Sequence, residues 1–253
     1  MTTQIVLYTD MIGYKSLSIP STDNYEDFNA IALDTQNFVL KELLGDELYN
    51  DFSSDFDAGS GVPTEQKNLD LLNGVTWTDV VNPDDTTENI INNNEGILAA
   101  WKYFVYREWL NQAPYVSNFT GKKTNNAING EPLDRQNLNI ETQNRYNKGV
   151  DIYETVRSFI EYYKDYSVEY TSIVESPAGT YTVNLTDTTY LKNGDFITID
   201  DSTRYTIANL TTDTSFTFTA TAGTTFSNDE VTWYPFKDAT NGKKGKLYFN
   251  GMI

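Results

Sequence analysis

The chain has 253 residues, a formal net charge of −18 and neither cysteine nor histidine, and its isoelectric point lies near 4.2. The two missing residue types exclude disulfides, thiol nucleophiles, histidine general bases, and the thiolate and imidazole ligands on which zinc sites depend. So acidic a body is also poorly suited to gripping nucleic acid, because phosphate binding takes clustered Lys and Arg.

The opening residues, 1–24, combine a strand-like stretch, QIVLYTDMI, with a turn-rich one, SIPSTDN, and read as an N-terminal arm or edge strand. MTTQIVLYTDMIGYKSL lacks the basic-then-apolar order of a signal peptide. No run in the chain approaches the ~18 apolar residues of a membrane-spanning helix, so no membrane partner is expected. A helix is predicted from Tyr25 to Leu44, with Phe28, Ile31, Ala32, Phe38, Val39 and Leu43 on one face and Asp34, Gln36 and Glu42 on the others. Gly45 ends it, since glycine tolerates positive φ, and Asp46 caps a second short helix carrying Leu48, Tyr49 and Phe52. Leu44, Gly45, Leu48, Tyr49 and Phe52 thus form a helical corner whose role is structural, with Leu44, Leu48 and Phe52 expected inside.

DFSSDFDAGSGVP, residues 51–63, reads as a loop, followed by a short helix from Thr64 to Leu72 and a polar, turn-rich run, TDVVNPDDTTEN. Helical periodicity returns from Asn92 to Gln112 through Ile97, Leu98, Trp101, Phe104, Val105 and Trp109. After the polar loop NFTGKKTNNAINGEP, a long helix is predicted from Asp134 to Tyr166, with Ile152, Tyr153, Val156, Phe159, Ile160 and Tyr163 as its stripe. Two long helices joined in this way read as an antiparallel pair. From Tyr170 the period changes to two: TYTVNL, FITID, RYTI and SFTFTA alternate apolar residues with Thr between turn-forming runs, the pattern of a small all-β barrel or sandwich. The expected architecture is therefore α+β: an arm (1–24), a mainly helical domain of antiparallel long helices (25–169), an all-β module (170–235) and an extended basic tail (236–253).

That tail carries Lys237, Lys243, Lys244 and Lys246 against only Asp238, with Leu247, Tyr248 and Phe249 beside them. Its charge asymmetry on an acidic body makes those seven Lys and apolar residues a candidate partner-docking segment; the plainer alternative is that GKLYF completes the β-module. Asp51, Asp55 and Asp57 before GSG suggest a calcium loop, but counting from Asp55 puts Ser60 and Gln66 where an EF-hand needs Gly and a carboxylate. A solvated acidic loop is the alternative. Asp84–Asp85 and Asp200–Asp201 are the carboxylate pairs a glycosidase would need, although pairs arise by chance among 36 acidic residues. The Trp101–Trp109 stripe is a candidate ligand groove against a helix core, and Tyr181, Tyr190, Tyr205 and Trp233 are candidate sugar platforms against barrel core. No phosphate-cradling GxxxxGK[ST] or strand-linked GxGxxG occurs. No catalytic residue, metal or cofactor is expected.

The order of helical elements over residues 25–168, together with the LGxELYxxF corner (Leu44, Gly45, Glu47, Leu48, Tyr49, Phe52), resembles the head–tail connector (adaptor) proteins of tailed bacteriophages. The resemblance implies a structural virion protein, not an enzyme. Such proteins form rings, commonly of twelve copies, beneath the portal at the capsid vertex; tail or neck proteins attach to them and DNA runs through the channel without sequence-specific binding. The β-module and basic tail are departures from small members of that family. The rival expectation is a carbohydrate-binding or adhesive module of a tail fibre or surface protein.

Overall fold

The computed structural model describes residues 11, 25–81, 88–112, 117–118, 121–122, 135–200 and 203–236. The described residues up to Phe159 form one compact unit and those from Ile160 onward a second. Apart from Met11, the N-terminal arm lies outside the described residues, and so does the tail beyond Phe236.

The first unit begins with a continuous helical run: α1 (Tyr25–Thr35), a π-helical turn (Gln36–Leu40) and α2 (Lys41–Leu44). Its buried row is Phe28, Ala32, Gln36, Leu40 and Leu44, spaced by four. In a pure α-helix a four-residue row drifts around the axis by about 40° per step. The wider π turn absorbs that drift and keeps the row on one side. Thr35 sits at the transition, its hydroxyl donating to the Ile31 carbonyl at 2.6 Å, a back-bond that bends helices. As a result the expected face is corrected at two positions: Phe38 is 76% exposed, while Gln36, assigned to an outer face, is fully buried.

Gly45, at φ 79°, stops the run, and α3 (Asp46–Ser54) follows. Leu44, Leu48, Tyr49 and Phe52 are buried on the two sides of this corner. The Leu43 carbonyl, one of the acceptors a helix end leaves without an internal partner, receives the Tyr153 hydroxyl at 2.6 Å. After a loop come α4 (Gln66–Asn73), the antiparallel hairpin β1 (Val75–Val81) and β2 (Glu88–Asn94), and α5 (Ile97–Gln112). Two short strands, β3 (Ser117–Asn118) and β4 (Gly121–Lys122), pair with each other, and α6 runs from Arg135 to Tyr162. Helices α5 and α6 touch closely at Gly149, where an added Cβ would come within 3.0 Å of the Phe104 ring.

The expected mainly helical domain of antiparallel long helices is overturned. Among the described residues α1 to α5 are short, 4 to 16 residues each, and only α6 reaches 28. The polar run around residue 80 is strand: β1 reads VTWTDVV, whose β-branched and aromatic residues favour a pleated surface. Four of the seven residues of its partner, ENIINNN, are asparagine, which hid the period-two signal.

In the second unit β5 (Tyr166–Glu175), β6 (Thr180–Leu185), β7 (Phe196–Thr198), β8 (Arg204–Thr211), β9 (Ser215–Thr219) and β10 (Glu230–Trp233) form a closed antiparallel barrel in the order β10-β5-β6-β9-β8-β7. Closure comes from β10, which pairs with both β5 and β7. Alternation directs Tyr181, Val183, Leu185, Ile197, Ile207, Phe216, Phe218, Val231 and Trp233 inward, where they fill the interior. Carboxylates fasten the barrel's loops. Asp200 accepts the backbone N–H groups of Ser227 and Asn228, Asp187 accepts the Tyr166 hydroxyl at 2.7 Å, and Glu175 accepts the Gly179 and Gly223 N–H groups. Burial, reinforced by that Asp187 bond, pushes the Tyr166 phenol far above its usual range.

Candidate interaction surface

The candidate site residues fall into three sets. The tail residues Lys237, Lys243, Lys244, Lys246, Leu247, Tyr248 and Phe249 lie outside the described residues, as do Asp84, Asp85 and Asp201. The aromatic candidates are largely interior. Tyr181 and Trp233 are buried, Tyr205 packs 4.7 Å from Phe218, and Tyr190 lies 5.0 Å from Tyr163. Trp101 is fully buried, and Trp109 packs edge-on against Phe28 at 5.7 Å. Phe236, the first residue of the expected tail, is buried as well.

The acidic loop is the third set. Asp55 accepts the Thr64 hydroxyl, the Glu65 N–H at 2.9 Å and the Asn68 amide at 3.0 Å. Asp57 accepts the Gly59 and Ser60 N–H groups, and Asp51 pairs with Lys67 at 2.7 Å. Among the described residues no three acidic side chains converge as a metal-ligand set. Burial raises the pKa of Asp55, but the hydrogen bonds from Thr64, Asn68 and Glu65 outweigh it and hold the carboxyl below its usual 3.8. A depressed carboxylate contributes stability above its unfolded pKa and loses it as pH falls through the folded one. Asp55→Asn is therefore expected to lower the urea midpoint at about pH 6 and to match the parent once pH falls well below 3.8. An equal deficit at both pH values would show that charge at Asp55 contributes nothing.

Among the described residues the exposed large apolar side chains Phe38, Val62, Ile140, Val174 and Phe196 stand at separate places in the sequence, while Ile90 and Ile91 are adjacent on the β1–β2 hairpin. The root of this hairpin is rigidly fixed. Gly74 and Gly96 take φ 90° and 86°, and a Cβ on Gly74 would lie 2.3 Å from the Asn94 carbonyl oxygen. Only glycine permits that approach of the two strands. The buried Asn94 side chain donates to the Asp70 carbonyl at 3.0 Å and accepts the Gly96 N–H at 2.8 Å, joining α4 to α5. Glu95 N–H donates to the Thr155 hydroxyl of α6 at 3.1 Å. Trp77 then packs edge-on against Phe159 at 5.5 Å. A cleft of about 490 Å³ lies at this root, lined by Leu72, Val75, Leu98 and Lys102 among others.

Beyond the root the hairpin is open. Residues directly opposite share a face, so Asp79 and Ile90 lie on the Trp77 face, and Thr78 and Ile91 on the other. Ile90 is 44% and Ile91 74% exposed. Among the described residues this sheet has two strands only, so both of its outer edges are unpaired. Proteins ordinarily blunt such edges with lysine, proline or a bulge; Asn89–Asn94 has no charge, no proline and an unbroken register with β1. Sequence reasoning missed this surface. The flanking Gly74 and Gly96 and the VTW alternation were the available signals.

Comparison with protein-family models, curated proteins and solved structures returned no match. Among the described residues no helix is long and apolar enough to cross a membrane.

Proposed function

We propose that the chain is a structural, self-assembling protein of a bacteriophage neck. Copies form a ring between portal and tail, at the capsid vertex of the virion, offering the tail an attachment surface and DNA an open conduit. The observation that carries this reading is the hairpin: a rigidly rooted strand edge, uncharged from Asn89 to Asn94, with two exposed isoleucines, on a chain with net charge −18. An edge of that kind is a template for pairing with another chain. The LGxELYxxF corner supports the neck assignment through its resemblance to connector proteins, and the acidic body suits a channel that must not hold phosphates.

The test is negative-stain imaging of the purified full chain. Closed rings with an opening wide enough for duplex DNA are the expected result, together with no measurable retention of duplex DNA at low salt. Isolated single subunits at every concentration would refute the reading.

A further inference from the structure

The geometry points to the β1–β2 hairpin as the receptor for the basic C-terminal segment of a neighbouring copy, which adds to the β2 edge as a strand. This deepens the ring reading and rests on it. Charge is the first argument. The charged residues from Val75 to Asn94 are Asp79, Asp84, Asp85 and Glu88, all acidic, whereas residues 237–253 carry four lysines against Asp238. In a chain this acidic, that segment is the strongest positive run available to match the hairpin. Pattern is the second. In an extended Lys246–Phe249, Leu247 and Phe249 fall on one face and Tyr248 on the other. The receptor likewise exposes one isoleucine on each face, Ile90 and Ile91. An added strand therefore covers both, while its backbone satisfies the open edge of β2. Reach is the third. Residues 237–253 span on the order of 55 Å when fully extended.

Two full-length variants test the inference by complementation. Ile90→Lys/Ile91→Lys spoils the receptor at exposed positions, and Lys243→Glu/Lys244→Glu/Lys246→Glu spoils the donor. Mass in solution is measured for the parent, for each variant alone and for their equimolar mixture, with circular dichroism confirming the fold of each. The parent is expected to exceed a dimer, and each variant to be monomeric. The mixture should give a one-to-one heterodimer at twice 28.7 kDa, since one intact donor meets one intact receptor, and raised salt should dissociate it. If either variant assembles like the parent, the receptor or the donor is wrong and the ring reading survives. If the mixture stays monomeric, the segment does not cross between copies and the inference is overturned. A monomeric parent would remove the ring reading itself.

Discussion

Phe52→Ala is expected to destabilise the first unit by about 3–5 kcal/mol, the usual cost of emptying a buried aromatic site. Phe52 is fully buried on α3 and meets Phe56 edge-on at 5.2 Å, a contact worth about 0.5–1.5 kcal/mol beyond area alone. It sits across the Gly45 turn from Leu44, so the cavity opens where two helical segments change direction. Phe38→Ala, fourteen residues earlier, is the matched control. The π turn leaves that ring 76% exposed, and its loss should stay within about 0.5 kcal/mol. Urea unfolding of both variants decides the matter. Equal losses would mean that Phe38 and Phe52 share the core and that the π-turn register is wrong.

Trp233→Ala is expected to cost at least as much in the barrel. Trp233 stands on β10, opposite Tyr166 of β5 and Ile197 of β7, at the seam that closes the sheet. Its ring lies 5.2 Å from that of Tyr166, and its indole N–H donates to the Thr189 carbonyl at 2.9 Å. Truncation therefore empties a site worth about 3–5 kcal/mol and orphans a carbonyl, at about 1–3 kcal/mol more. Trp233→Phe keeps most of the packing and isolates the second loss. Limited proteolysis within Ile160–Phe236 is expected to rise steeply for Trp233→Ala and only slightly for Trp233→Phe. Parent-like resistance in Trp233→Ala would mean that the seam does not depend on this ring.

These two residues also show what was legible in the sequence. The corner could be read because Gly45 has one obvious conformational use and because Leu48 and Phe52 lie one helical turn apart. The expected cap is corrected, since Gly45 itself is the N-cap and Asp46 is the first helical residue, with no side-chain capping bond. Barrel strands were legible through Thr alternation, although β5 starts at Tyr166, ahead of the change of period read at Tyr170. There Tyr166 lies three residues past Tyr163 and so extends the helical spacing, although it opens the strand. The π turn was hidden because a single widened turn shifts register without changing composition, so Gln36 went inward and Phe38 outward against their polarity. The hairpin was hidden for the opposite reason. Its asparagines imitate a loop, and its rigidity lies in Gly74, Gly96 and the Asn94 side chain, not in apolar periodicity. The candidate surface was consequently absent from the sequence reading, while its proposed ligand, the lysine-rich segment, was found through charge alone.

The central claim is that copies of this chain build a closed assembly, and the most direct test is its mass in solution by sedimentation across a wide concentration range. The account predicts one predominant species whose mass is a fixed multiple of 28.7 kDa, well above a dimer, that dissociates as salt rises. A single 28.7 kDa species persisting at the highest concentration and lowest salt would contradict it.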